Sequence, residues 1–199
     1  RPPDLRQERP DARLTRPDKT ALRAQARAVR RKLASLEPFA AERAASHAAD
    51  LPAARLVAVY CAMGSELDPE PLARALMASG RRICLPVVLE RDAPMIFRAW
   101  TPGEPLEMDA AGCPAPLPLA ELVDPDLIVT PLLAFDETGG RLGQGGGYYD
   151  RTFAARPGAA RVGLAFAAQR VESLPIDDHD IRLHGVLTET GYRSFGISH

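Results

Sequence analysis

Four glycines, Gly143, Gly145, Gly146 and Gly147, stand between Arg141 and Asp150, with Leu142 and Gln144 among them and Tyr148 and Tyr149 closing the run. Glycine lets the backbone approach a ligand closely and take positive φ, and unpaired amides at a helix start attract phosphate. Phosphate binding is the chemistry this segment suits; a flexible hairpin tip is the other reading. The spacing is neither that of the phosphate loop ending in Gly-Lys-Ser/Thr nor that of the dinucleotide fingerprint.

The elements around the loop decide where it points. Asp126 to Phe135 is strongly apolar and predicts a buried strand, which aims the loop at the carboxyl edge of a sheet, where ligands of α/β proteins bind. Tyr148 to Ala155 resumes as helix. Helices are also predicted from Asp18, a plausible N-cap, to Leu36, from Pro38 to Asp50, and from Pro69 to Ser79 before Gly80. On the first of these, Leu22, Ala26, Val29 and Leu33 share a face, leaving Lys19, Arg23, Arg27, Arg30 and Arg31 to the flanks and the opposite side. Strands are predicted at Leu56–Cys61, Ile83–Leu89, Met95–Trp100, Arg161–Phe166 and, briefly, Val186–Glu189, and the proline-rich stretch Thr101–Pro118 reads as loop. Strands separated by helices argue for an α/β fold, a largely parallel sheet covered on both faces.

At 199 residues the chain suits one compact domain over 18–199, with the proline- and charge-rich residues 1–17 as a flexible tail. The near-balanced charge, 25 basic against 26 acidic residues, gives no footprint of a nucleic-acid partner. Cys61, Cys84 and Cys113 are odd in number and unpaired in spacing, which fits reduced thiols in a cytoplasmic protein. No apolar run reaches membrane-span length, so no membrane partner is expected.

The segment Arg-Leu-Gly-Gln-Gly-Gly-Gly-Tyr-Tyr-Asp, 141–150, resembles the signature of the 5-formyltetrahydrofolate cyclo-ligase family. Further blocks follow the family in order: Lys19-x-x-x-Arg23, Met63-Gly64-Ser65-Glu66-Leu67, Arg82-Ile83-Cys84-Leu85-Pro86, and Gly163-Leu164-Ala165-Phe166 through His179-Asp180. The resemblance spans about residues 18–192. It implies an open three-layer α/β/α fold in a single domain, and an ATP- and Mg²⁺-dependent ring closure of 5-formyltetrahydrofolate, polyglutamylated or not, to 5,10-methenyltetrahydrofolate. A monomer is expected.

Carried over residue by residue, the resemblance makes Lys19, Arg23 and the stretch Arg141, Leu142, Gly143, Gln144, Gly145, Gly146, Gly147, Tyr148 and Tyr149 the ATP contacts, with Arg141 and Tyr148 catalytic. A spacing of four puts Lys19 and Arg23 on one helical face, able to converge on a polyphosphate; without the resemblance a solvated basic face is as good a reading. Cys61, Glu66 and Gln144 to Tyr148 match the folate side, Glu66 as acceptor for the pterin N–H donors and Cys61 by packing. Asp150 and Asp180 match magnesium ligands, and hard carboxylates suit that ion. Taken alone, Asp150 is a helix-start acid, Asp180 a loop aspartate and Glu66 a surface residue. Trp100 and Phe97 either wall the pterin or pack in the core.

The sequence departs from some relatives at Gln144 and Gly146, where they carry Arg and Lys, at His184, where an acid is frequent, and at Ala115, where a polar residue is common. Without those loop cations, phosphate charge falls on Arg141, Lys19, Arg23 and the metal. Two other functions remain open on such a scaffold: a sugar-phosphate isomerase or CoA-transferase relative, which would turn over without ATP, and a non-catalytic folate- or nucleotide-binding protein.

Overall fold

The structure, a computed structural model, describes residues 18–196; the segment 1–17, expected as a tail, lies outside them. In chain order the elements are α1 (Lys19–Leu36), α2 (Ala40–Ala45), β1 (Leu56–Ala58), α3 (Glu70–Ala78), β2 (Arg82–Val87), β3 (Ile96–Ala99), β4 (Leu106–Met108), β5 (Pro114–Pro116) and β6 (Leu122–Val123). They continue with β7 (Leu127–Thr130), β8 (Ala134–Phe135), β9 (Arg141–Leu142), α4 (Tyr148–Ala155), β10 (Ala160–Leu164), β11 (Gly185–Thr188) and β12 (Gly191–Ser194).

Eight strands form one sheet in the order β12-β11-β10-β7-β1-β2-β3-β6. The five central strands, β11 to β2, pair in parallel, while β12, β3 and β6 add antiparallel at the edges. Every residue of β1 and β7 is buried, as central parallel strands require. Successive side chains alternate between two cores. Val57, Leu127 and Val129 pack with Ala40, Leu72 and Leu76 of α2 and α3. Leu56, Ala58 and Ile128 pack with Phe153 of α4 and with Phe97. The mostly parallel, three-layer α/β architecture expected from sequence is therefore present.

Local departures have simple causes. The apolar run from Asp126 breaks after Thr130 because Pro131 has no N–H to continue the ladder; Leu133 N instead bonds Leu142 O at 2.7 Å, and β8 turns back to pair with β9. The stretch 101–118 is not all loop: β4 and β5 form an antiparallel hairpin within it, and β12 is a strand the sequence reading lacked. The helix predicted to Asp50 stops at Ala45, followed by a single 3-10 turn at Ala48–Asp50.

On α1, Leu22 and Ala26 pack against Leu133, Ala134 and Leu142, and Leu33 against the larger core, so the helix lies over the glycine hairpin. The expected apolar face is corrected at one position. Val29 is 42% exposed, whereas Arg30 is 4% exposed and is the buried residue of the helix. Its guanidinium goes inside because acceptors await it there.

Candidate active site

The carboxyl ends of β1, β2 and β7 open into a cleft of about 790 Å³, roofed by α1 and floored by the loop between β9 and α4. Every ATP, folate and metal residue carried over from the sequence lines this one cleft, from Lys19 and Arg23 through Cys61 and Glu66 to the 141–150 loop and Asp180. Phe97 and Trp100 do not line it. Phe97 is 1% exposed in the core, and Trp100 packs against the other core and donates its indole N–H to Glu104 O at 3.3 Å.

The turn between β8 and β9 that leads into the loop is held by Asp136, 2% exposed. Its carboxylate accepts from Thr138 N and Oγ1, Gly140 N and Leu174 N at 2.7–3.0 Å. Burial alone would raise the Asp136 pKa, but these four donors outweigh it and lower it. Gly140 is required here, since a Cβ would sit 2.7 Å from Asp136 Oδ2. Gly147, in the left-handed region at φ 70°, forms the N-cap of α4 and turns the chain into the helix.

From above, α1 grips the same loop. Arg23 Nε donates to Gly143 O at 3.0 Å, and Arg27 Nε to Gln144 Oε1 at 2.9 Å. Arg151 of α4 donates to Gly146 O at 2.9 Å and lies 5.1 Å over the Tyr148 ring. Guanidinium groups from neighbouring helices thus stand beside the two loop positions at which some relatives carry a cation.

Arg141 Nη2 pairs with Asp150 Oδ2 at 3.1 Å, and Asp150 Oδ1 accepts from Ile181 N. The Arg141 side chain is 7% exposed, and its Nε is the buried side-chain nitrogen without a hydrogen-bond partner among the described residues. Lys19 Nζ lies 2.6 Å from both Asp177 Oδ2 and Asp180 Oδ2. Oxygen or nitrogen atoms of Asp177, His179 and Asp180 lie within 4.8 Å of one another, a donor set able to hold a cation; Asp150 stands outside that group. Cys61 is a packing group: burial first, then neighbouring Cys113, pushes its thiol up to about 11, so it is a neutral S–H at pH 7.

The sequence and the fold are similar to those of known proteins. The sequence pattern of the 5-formyltetrahydrofolate cyclo-ligase family matches residues 15–189. The chain belongs to that enzyme family. It is 39% identical over 149 residues to the 5-formyltetrahydrofolate cyclo-ligase of Escherichia coli, covering 68% of this chain and 78% of that protein. It is 33% identical over 175 residues to the enzyme of that name from Haemophilus influenzae, covering 81% and 92%. Its fold is similar to that of a 5,10-methenyltetrahydrofolate synthetase from Aquifex aeolicus, with a TM-score of 0.75 and 30% identity over 91% of this chain and 94% of that one.

Of the residues lining the cyclo-ligase cleft, Arg30, Asp177 and His179 escaped the sequence reading, as did Arg27, Asp136 and Arg151, which hold the glycine loop and the turn before it. Arg27 and Arg30 continue the helical face that begins at Lys19 and Arg23, a signal that was available. Asp136 heads the turn Asp-Glu-Thr-Gly-Gly, where an acid receiving backbone N–H donors is common. Among the described residues no helix is long and apolar enough to cross a membrane.

Proposed function

We propose that this chain closes 5-formyltetrahydrofolate, polyglutamylated or not, to 5,10-methenyltetrahydrofolate at the expense of ATP, as a cytoplasmic monomer. The γ-phosphoryl of ATP passes to the formyl oxygen and ADP leaves. N10 then attacks the formyl carbon of the imino-phosphate, the C–O bond breaks with loss of phosphate, and the N10 proton departs to solvent. A formamide oxygen is a poor leaving group, which is why it is phosphorylated first.

The observation that carries this reading is the buried, half-satisfied Arg141 beside a glycine loop that is exposed at Gly145 and Gly146. Such a cation has a donor in reserve for a phosphate oxygen, and Lys19 and Arg23 stand in the same cleft. Phosphoryl transfer rests mainly on positioning and charge neutralisation, so these groups and the loop amides suffice in kind. Gln144 to Tyr148, with Cys61 and Glu66, form the folate side; Tyr148 meets both ligands, its ring held beneath Arg151.

The residues present fit Mg²⁺, a hard cation that takes few protein ligands and keeps several waters. Asp180 with Asp177 and His179 would hold it; Asp150, outside that group, lines the same cleft. When bound it supplies further neutralisation of phosphate charge. Asp150 is meanwhile held in place by Arg141 and by Ile181 N, and Asp180 by Asp177 N at 2.8 Å.

Incubation with 5-formyltetrahydrofolate and Mg-ATP, followed by the near-ultraviolet absorbance of the methenyl product, tests the proposal. Turnover is expected only with both ATP and metal. Turnover without ATP, or ligand binding with no product under any condition, overturns it.

A further inference from the structure

The buried cation of α1, Arg30, is used by none of the steps above. Its side chain is 5% exposed and that of Glu66 is 9% exposed, with Arg30 Nη1 3.8 Å from Glu66 Oε1. Arg30 is fixed from two other directions: Nη1 donates to Leu132 O at 3.0 Å, in the turn between β7 and β8, and Nε donates to Ser65 Oγ at 3.1 Å. The neighbouring turn is closed on itself, because Glu66 Oε2 accepts from Met63 N at 2.9 Å. Oε1 therefore faces Arg30 at ion-pair rather than hydrogen-bond distance and keeps acceptor capacity within the cleft.

We propose that Arg30 is a positioning residue for folate recognition, holding the Glu66 carboxylate ionised and in register for the substrate's N–H donors. The inference rests on the reading of Glu66 as a folate contact. A buried carboxylate without a cation would take up a proton and present a hydroxyl where an acceptor is needed. Burial raises the Glu66 pKa, and the Met63 amide and Arg30 oppose the rise. Tyr60, Tyr149 and Cys113 also face this carboxylate; burial makes each a weaker acid, with Asp109 adding to it at Cys113, and the charge of Glu66 adds to it at all three. Arg30, 3.8 Å from Glu66 Oε1, is the cation that opposes the rise, alongside the larger contribution of the Met63 amide. Burial lowers the pKa of Arg30 too, yet a guanidinium stays protonated at any ordinary pH.

The test compares Arg30→Met, Arg30→Lys, Glu66→Gln and the double variant Arg30→Met/Glu66→Gln in the ATP-dependent assay. The expected result is a rise in the folate KM of Arg30→Met by about tenfold or more, with the ATP KM within about twofold. The acid limb of kcat/KM for folate should move to higher pH in Arg30→Met, because Glu66 then protonates earlier, and should move back in Arg30→Lys. The double variant should be no worse than the worse single one, since both act on one contact. If Arg30→Met fails to fold, Arg30→Lys carries the test: it keeps the charge but loses the forked geometry, so a folate KM raised severalfold with an unmoved acid limb is expected. Equal increases in both KM values, an unshifted acid limb in Arg30→Met, or additive losses in the double variant would overturn the proposal and leave Arg30 a scaffold residue. A Glu66→Gln enzyme with wild-type folate KM would instead remove the reading of Glu66, and the proposal with it.

Discussion

Lys19 Nζ lies 2.6 Å from Asp180 Oδ2, joining the first turn of α1 to the loop before β11 across 161 residues of sequence. The same ammonium bonds Asp177. Burial works against the charge on Lys19, but the two carboxylates outweigh it and raise its pKa. Lys19 therefore occupies the space between two acids that would otherwise repel each other, as a cation would.

That relationship predicts two effects of Lys19→Ala. Methenyl formation should fall by about 100-fold or more if Lys19 serves as the proposed phosphate contact. Without nucleotide, Mn²⁺ should bind more tightly than to wild type, because the Lys19 ammonium no longer competes for Asp177 and Asp180; Asp180→Asn should cancel the gain. Calorimetry or the paramagnetic resonance of free Mn²⁺ reads this directly. Unchanged metal affinity would mean that the ammonium does not compete for the acids.

The Arg141–Asp150 pair, with side chains 7% and 18% exposed, predicts unequal substitutions. Arg141→Lys keeps the charge but cannot reach both Asp150 and a phosphate with separate N–H groups. A loss of about 10²-fold in kcat/KM for ATP is expected, with melting within a few degrees of wild type. Asp150→Ala should cut the rate as severely without unfolding the chain. Wild-type rates in both variants would mean that this pair is structural.

Within the loop, Gly145 and Gly147 are strained by any side chain, at φ 105° and 70°, and a Cβ on Gly147 would sit 2.6 Å from Arg151 Nη1. Left-handed backbone costs an L-residue about 1–2 kcal/mol. Gly147→Ala should lower the melting temperature by a few degrees and free Arg151 from Gly146 O. Gly146 has no such φ; a Cβ there meets the Tyr148 ring at 2.9 Å. Gly146→Ala should therefore reduce turnover with little loss of stability, and the reverse pattern would refute this division of roles.

Asp136 predicts a pH dependence. Its folded pKa is depressed, so its contribution to stability is present above the unfolded carboxylate value and is lost as pH falls through the folded one. Asp136→Asn cannot serve the same donors and should cost of order 3 kcal/mol near neutrality. The gap in melting temperature between the variant and wild type should narrow as pH falls below 4 or so. A gap that is constant with pH would show that charge at Asp136 contributes nothing.

The glycine loop, the apolar strand before it and the helix after it were legible because their signals are local: conformational freedom at glycine, unbroken apolarity over a central strand, and helical periodicity. The two-residue strands β6 and β9 were not, since no periodicity exists at that length, and β8 was read as the continuation of β7. Nor did the turn of the chain at Pro131 or the pairing of 134–135 with 141–142 announce itself, although both set the pitch of the loop.

By itself the sequence determined the family, the parallel α/β frame and the collection of cations, acids and glycines that meet in one cleft. What it could not decide is which of those charges are paired, and with what. Val29 and Arg30 are adjacent on one helix, and periodicity places the valine inside. The fold reverses them because the carbonyl of Leu132, 102 residues away, and the hydroxyl of Ser65 supply the acceptors that make a buried guanidinium tolerable. Desolvation and hydrogen-bond satisfaction depend on neighbours in space, so the charge state of this cleft belongs to the tertiary structure.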